Sequence, residues 1–163
     1  MDEKIEQDDL IIIEPEDCEA WQMPEGLLLI GRLDPFAAQG FVDLLPQKFL
    51  PPRSRPVPGI FKQMAGTSVF KVYEGEAVKS ERELKTGDAV KIPPQTPHSL
   101  ENRTQDKCVV YWKFDGNVEE DFEKLKQTLS KLTFQAREKS GYKDLFEQHS
   151  RRRQEDAQVL GDY

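Results

Sequence analysis

Two cysteines and two histidines are all the thiol and imidazole chemistry that the 163 residues contain. Cys18 and Cys108 lie far apart and form no CxxC pair, so neither a disulfide framework nor a thiolate zinc site has support. Both are expected as ordinary buried or half-buried thiols. No apolar run approaches the ~20 residues that a membrane-spanning helix needs. The opening "MDEKIEQDD" is acidic, where a signal peptide would be basic and then apolar. A soluble, cytoplasmic protein of one domain is the expectation, long enough to bury a real core.

A concentrated positive charge is missing too. The net charge of −7 is unevenly spread: residues 1 to 20 hold nine acids against Lys4 alone, giving −8, whereas residues 21 to 115 carry 13 bases and 11 acids. Residues 116 to 163 carry nine bases and ten acids. An acidic arm on a nearly neutral body repels nucleic acid, and no basic stripe with interleaved aromatics offsets it. "SRRRQED" is a short basic cluster followed at once by acids, the pattern of a solvated surface.

What the sequence does contain is a series of short runs rich in β-branched and aromatic residues: 10 to 13, 26 to 31, 40 to 45, 67 to 75, 76 to 84, 88 to 93, 98 to 102 and 107 to 115. Stretches carrying Gly, Pro, Asn or Asp separate them, among them "LPPRSRPVPG" and "PPQTP". Strands at this spacing without intervening helices predict an antiparallel sandwich or barrel. In "KCVVYWKFD" neither alternate face is polar. One face therefore lines an interior, and the other is covered by the same chain or by a second copy.

Downstream, Val118, Phe122, Leu125, Leu129 and Leu132 form the stripe of an amphipathic helix from Asn117 to about Arg137. Glu119, Glu120 and Asp121 stand in its first turn, where the helix dipole favours negative charge. A second stripe, Tyr142, Leu145, Phe146 and His149, follows the Ser140-Gly141 break. The division expected is an acidic arm over 1–20, a β-barrel over 21–115 and a helical extension over 116–163.

The stretch "GDAVKIPPQTPHSLEN" resembles the second motif of the cupin superfamily, G-x5-P-x-G-x2-H-x3-N. Gly87, Pro93, His98 and Asn102 stand at its spacings, and Gln95 replaces the glycine. "SVFKVYEGEA" is similar to the end of the first motif, with Gly75 as its closing glycine. The resemblance covers roughly residues 40 to 115. It implies an all-β double-stranded β-helix, a cupin jelly-roll barrel with C-terminal α-helices packed on it, and a ligand site inside. It also implies that small cupins pair through edge strands, so a homodimer is expected.

The first motif departs from the family where metal ligands normally stand. Metal-binding members carry H-x-H-x3-4-E-x6-G, and counting back from Gly75 puts Ser68 at the glutamate. Lys62 and Met64 fall at the histidines with the shorter spacer, Phe61 and Gln63 with the longer. One imidazole with a hydroxyl and a thioether makes a poor site for a first-row divalent ion. No metal and no other cofactor is therefore expected.

Without a metal, the resemblance leaves two readings. In the first, the chain is a lyase, isomerase or cyclase acting on a small anionic or carbonyl-rich metabolite. His98 is then the proton carrier, its ordinary pKa of about 6.5 suiting neutral pH, with Lys62 and Tyr111 as catalytic partners. Gln63, Met64, Ser68, Phe70, Trp112 and Lys113 then contact the substrate. In the second, the chain is a non-catalytic small-molecule-binding or regulatory cupin. A third reading keeps a metal through a rearranged set in which His149, Cys108, Asp43 or Glu74 joins His98.

Overall fold

The computed structural model describes residues 13–131 and 136–137, with side chains described over 13–129. After a single 3-10 turn at Pro15–Asp17 come nine strands: β1 Glu19–Met23, β2 Gly26–Leu33, β3 Ala37–Leu44, β4 Gly59–Ala65, β5 Thr67–Glu74, β6 Ala77–Lys85, β7 Ala89–Ile92, β8 His98–Glu101 and β9 Val109–Asp115. A helix, α1 Glu119–Lys131, and a short strand, β10 Ala136–Arg137, follow. The strands form two antiparallel sheets, one in the order β10-β1-β2-β3-β9-β4-β7 and one in the order β6-β5-β8. This is the antiparallel all-β architecture expected from the turn-punctuated runs, in the jelly-roll form that the cupin resemblance implies. No helix among the described residues is long and apolar enough to cross a membrane.

The apolar runs that fail to alternate are explained by two cores on opposite faces of the larger sheet. Leu28 and Ile30 of β2, Val42 of β3, and Val110, Trp112 and Phe114 of β9 enter the main core between the sheets. Their neighbours Leu27, Leu29, Phe41 and Tyr111 face the other way, into a second core with Cys18 and Ala20. Successive side chains of a strand point to opposite faces, so a strand buried on both sides must be apolar throughout. Gly40 of β3 pairs with Trp112 across the ladder. A Cβ there would stand 1.8 Å from the Leu29 carbonyl oxygen and 2.7 Å from the indole ring. Only glycine lets the indole settle at this point of the wall.

Three of the described strands, β1, β4 and β10, are absent from the sequence reading. β1 lies where the acidic arm and the barrel were expected to meet, so Glu19 and Ala20, assigned to the arm, already belong to the sheet. β4 escapes that reading because its pattern "GIFKQMA" follows a proline-rich stretch and carries little β-branching. The helix is also shorter than expected. It ends at Lys131, and Ala136–Arg137, expected as its last turn, instead extends the sheet beside Ala20 and Trp21. The expected strand over 10–13, apart from Ile13, and the second helical stripe over 142–149 lie outside the described residues.

Candidate functional site

His98 is the first residue of β8, and its place is fixed by backbone on both sides. On one side His98 pairs with Val72 of β5. On the other, His98 and Arg53 exchange two backbone hydrogen bonds of 2.9 Å. The proline-rich stretch before β4 is therefore no simple turn. It runs along β8 as a strap, and proline suits such an edge because it has no N–H to leave unpaired. The turn before β8 holds the same strap, since the Gln95 N–H donates to the Arg55 carbonyl at 2.7 Å. Gln95 occupies the motif's glycine position and keeps a left-handed backbone, φ 61°. Gly75 and Gly87, the other motif glycines in the two turns, have φ 63° and 98° with open space where a Cβ would be. All three positions serve turn geometry and not close packing.

Between the sheets and α1 lies a pocket of about 260 Å³. Phe61, His98, Trp112 and Phe114 are buried parts of its lining, while Pro24, Pro51, Arg53 and Thr128 are exposed and mark its mouth. Helix α1 contributes Phe122, Leu125 and Leu129 along one flank. The stripe read from the sequence thus covers the barrel of its own chain. Phe122 stacks on Trp112 with ring centroids 5.1 Å apart. The volume falls just below the roughly 300–1,000 Å³ of sites for drug-sized ligands, so the pocket suits something smaller.

Few groups supply polarity. The His98 ring lies edge-on to Phe61, centroids 5.4 Å apart, with Phe70 at 6.1 Å. Burial among these rings, with a smaller push from the Arg55 cation, holds the imidazole below its ordinary pKa, only partly countered by the Thr96 carbonyl. His98 is therefore neutral at pH 7. Its Nδ1 lies 2.8 Å from the Thr96 carbonyl oxygen. A carbonyl can only accept, so Nδ1 carries the proton and Nε2 bears a lone pair. Nε2 has no hydrogen-bond partner among the described residues. Ser99, beside it, shares a 3.0 Å hydrogen bond with the Tyr73 hydroxyl.

Arg55 is a charged group of the interior wall. Its side chain is only 12% exposed and meets Asp121 of α1 at 3.5 Å. The guanidinium carbon sits 4.9 Å from the Phe114 ring centroid and 4.7 Å from that of Phe122. Desolvation and the neighbouring Arg53 pull its pKa down to about 10, against a weaker opposing pull from Asp121. Arg55 still carries its charge at neutral pH.

Of the residues named from the sequence, His98 and Trp112 line this pocket, and Phe70 packs on the His98 ring. The others lie elsewhere. Lys62 follows Phe61 on β4 and so takes the opposite face, and Met64 is exposed. Tyr111 belongs to the second core, where its hydroxyl donates to Gln39 at 2.6 Å. Lys113 reaches Asp115 at 3.5 Å. Gln63 and Ser68 are buried together: the Ser68 hydroxyl donates to Gln63 Oε1 at 2.6 Å, and Gln63 Nε2 donates to the Ala65 carbonyl at 2.8 Å and lies 3.5 Å from Cys108 Sγ. Arg55 and Arg53 are pocket groups that sequence reasoning does not find. Their signal is the pair of arginines inside a proline-rich stretch, which proximity in sequence does not connect to His98.

The inward side chains of β4 are Phe61 and Gln63, so the strand adopts the longer spacer of the first motif. At the four positions where the family resemblance expects ligands, the chain thus presents a phenyl ring, an engaged amide, an engaged hydroxyl and one imidazole. Among the described residues no three His, Cys, Asp or Glu side chains gather into a metal-binding group. Cys108 lies against Gln63, Glu74 is exposed at the end of β5, and Asp43 follows the pocket residue Val42 on the opposite face. His149 lies outside the described residues. A divalent ion needs several such donors together, and this set does not fit one.

No family model matches the sequence, and no curated relative does. Solved structures match by shape. An oxalate oxidase is 19% identical with a TM-score of 0.50 over 58% of this chain and 53% of its own. Vicilin from Solanum lycopersicum is 18% identical with a TM-score of 0.54 over 64% of this chain and 32% of its own. The TT1209 protein of Thermus thermophilus is 16% identical with a TM-score of 0.50 over 59% of this chain and 89% of its own. The chain therefore spans about half of the oxidase and a third of the vicilin. Identities this low speak for fold alone, and the fold shared with these structures, antiparallel sheets in a jelly roll, is the one that the cupin resemblance implies.

Proposed function

We propose that this chain is a small-molecule-binding cupin whose ligand enters between the strap, the β1–β2 turn and α1 to rest on the aromatic floor of the barrel. The observation that carries this reading is the pocket itself, apolar over most of its lining, with a few polar groups converging on it. The test uses phenylnaphthylamine, an uncharged dye that brightens in apolar surroundings. The wild-type protein is expected to bind it with a single class of site. Val42→Phe, which places a ring in the pocket, is expected to cut that binding at least tenfold while the protein stays folded by circular dichroism. Equal binding by a folded Val42→Phe would sink the reading.

A second reading, a metal-free lyase or isomerase, draws support from His98. A neutral imidazole with its Nδ1–H held by a carbonyl offers Nε2 as a general base toward the pocket. Such a base takes a proton from a carbon acid. Either a leaving group then departs from the adjacent carbon, or the proton returns to another carbon. Lys62 and Tyr111 do not line the pocket, and the hydroxyl residues that do, Ser99 and Thr128, are the candidates to serve as acid. Once a substrate is known, His98→Asn should abolish turnover and keep binding. Retained turnover would take His98 out of the chemistry.

A further inference from the structure

We infer that the ligand of this pocket is an amphipathic monoanion, a carboxylate with an apolar body, whose head is held by Arg55. The inference rests on the pocket being a ligand site and specifies what that site selects. Its starting point is a mismatch between cost and compensation. Removing a guanidinium from water is expensive unless counter-charge and hydrogen bonds replace the lost hydration. Arg55 is nearly sequestered, yet one of its five N–H donors has a partner among the described residues. That partner is a long contact of 3.5 Å to a carboxylate that is itself 46% exposed. Phe114 and Phe122 pack against the guanidinium and offer their rings, an interaction that leaves in-plane donors free. A planar fork with unused donors matches a carboxylate in both charge and shape.

The rest of the lining fixes what accompanies the head. Arg53 stands at the mouth and adds a second positive charge, while Glu25 is the acid of the lining. With Asp121 beside Arg55, two arginines stand against two carboxylates, so selection for an anion comes from the unused donors of Arg55 and not from net charge. Beyond Arg55 most of the wall is aliphatic or aromatic, from Leu28 and Val42 to Phe61 and Trp112, with His98 and Ser99 as the polar residues among them. A doubly charged or heavily hydroxylated ligand would leave polar groups facing these rings. One charge and an apolar tail satisfy both ends. The strap explains how the fork is aimed: the Gln95 N–H and the Arg53–His98 pair hold the backbone on either side of Ser54 and Arg55.

Octanoate and octanol, which differ in the head group alone, provide the test by calorimetry. Wild-type protein should bind octanoate at least tenfold more tightly than octanol, and the preference should shrink as salt rises. Arg55→Gln should remove most of the preference by weakening octanoate and leaving octanol unchanged, and Arg53→Gln should have a smaller effect. Equal binding of the two probes by the wild type overturns the anion assignment and leaves the pocket reading standing. Binding of neither overturns both. Should Arg55→Gln fail to fold, the wild-type preference and its salt dependence decide the matter without it.

Discussion

Two polar groupings of the interior, one built on Gln63 and the other on His98 and Arg55, differ in what they leave unsatisfied. Gln63, Ser68 and Cys108 form a closed set: the amide, the hydroxyl and the thiol meet one another and a backbone carbonyl, and none of the three lines the pocket. His98 and Arg55 form an open set, in which an imidazole nitrogen and several guanidinium donors border a pocket. Both clusters are polar and both are buried, so burial alone identifies no site. What separates them is residual hydrogen-bonding capacity, since native interiors satisfy nearly all such groups. The open cluster is the one equipped to receive a ligand.

The strongest way to break the comparison is to open the closed set. Gln63→Leu keeps the volume but strips partners from the Ser68 hydroxyl and the Ala65 carbonyl. Leaving such buried groups unmade costs about 1–3 kcal/mol each. A loss of about 2–4 kcal/mol in urea denaturation is expected on that basis, with dye binding to the remaining folded protein unchanged. A smaller loss would mean that the cluster tolerates vacancy and that the contrast between the two is overstated.

The opposite response is expected at the open set. Replacing a poorly compensated buried ion with an apolar side chain is often neutral or stabilising. Arg55→Met should therefore change stability by less than about 1 kcal/mol, because relief from desolvation offsets the lost contact with the two rings. A large loss of stability would show that Arg55 is held for structure, as Gln63 is.

His98 sharpens the same contrast through pH. Its folded pKa lies below the ordinary imidazole value of 6.5, chiefly because of burial. The unfolded chain consequently binds the proton more readily, and stability rises with pH through the interval from the lowered value to 6.5. Acidification through that interval removes stability, and below it the loss levels off. Arg55 is the charged group that acts on the ring; Arg53 on the strap and Glu25 at the β1–β2 turn line the same pocket, Asp121 of α1 meets Arg55, and the neighbouring Ser99 bonds to Tyr73. None of these is a carboxylate bonded to the imidazole. Denaturation over a pH series should show the slope in the wild type and its loss in His98→Gln. A slope that persists unchanged would assign the titration to another group.

Much of this arrangement is legible in the sequence, and the remainder is hidden for identifiable reasons. Strands rich in Val, Ile, Tyr and Phe declare themselves locally, as do the turns at Gly75 and Gly87, so the sheets and the place of His98 follow directly. β4 does not, because "IFKQMA" carries a buried amide and a lysine on alternate faces and follows a run of prolines that reads as a turn. Tyr111 and Lys113 fall to the ligand in a sequence reading because β9 has two apolar faces and nothing local says which of them meets the cavity. Arg55 is hidden for a different reason. Its contacts with Phe114, Phe122 and Gln95 join segments that are remote along the chain, and the strap that makes them is held by backbone bonds that favour no side-chain type.

The smallest effect concerns that strap. Gln95 holds a left-handed backbone where the family motif has glycine, a conformation that costs an L residue roughly 1–2 kcal/mol. Glycine removes that strain but adds back about 0.5–1 kcal/mol of unfolded-state freedom. Gln95→Gly should then stabilise the protein by about 0.5–1 kcal/mol, a modest rise in urea midpoint at an unchanged slope. The N–H that holds the Arg55 carbonyl at 2.7 Å survives the change, so octanoate affinity should stay as it was. If stability rises while octanoate weakens, the glutamine side chain itself helps to aim the strap. The open cluster would then extend beyond Arg55 and His98 into the turn that precedes β8.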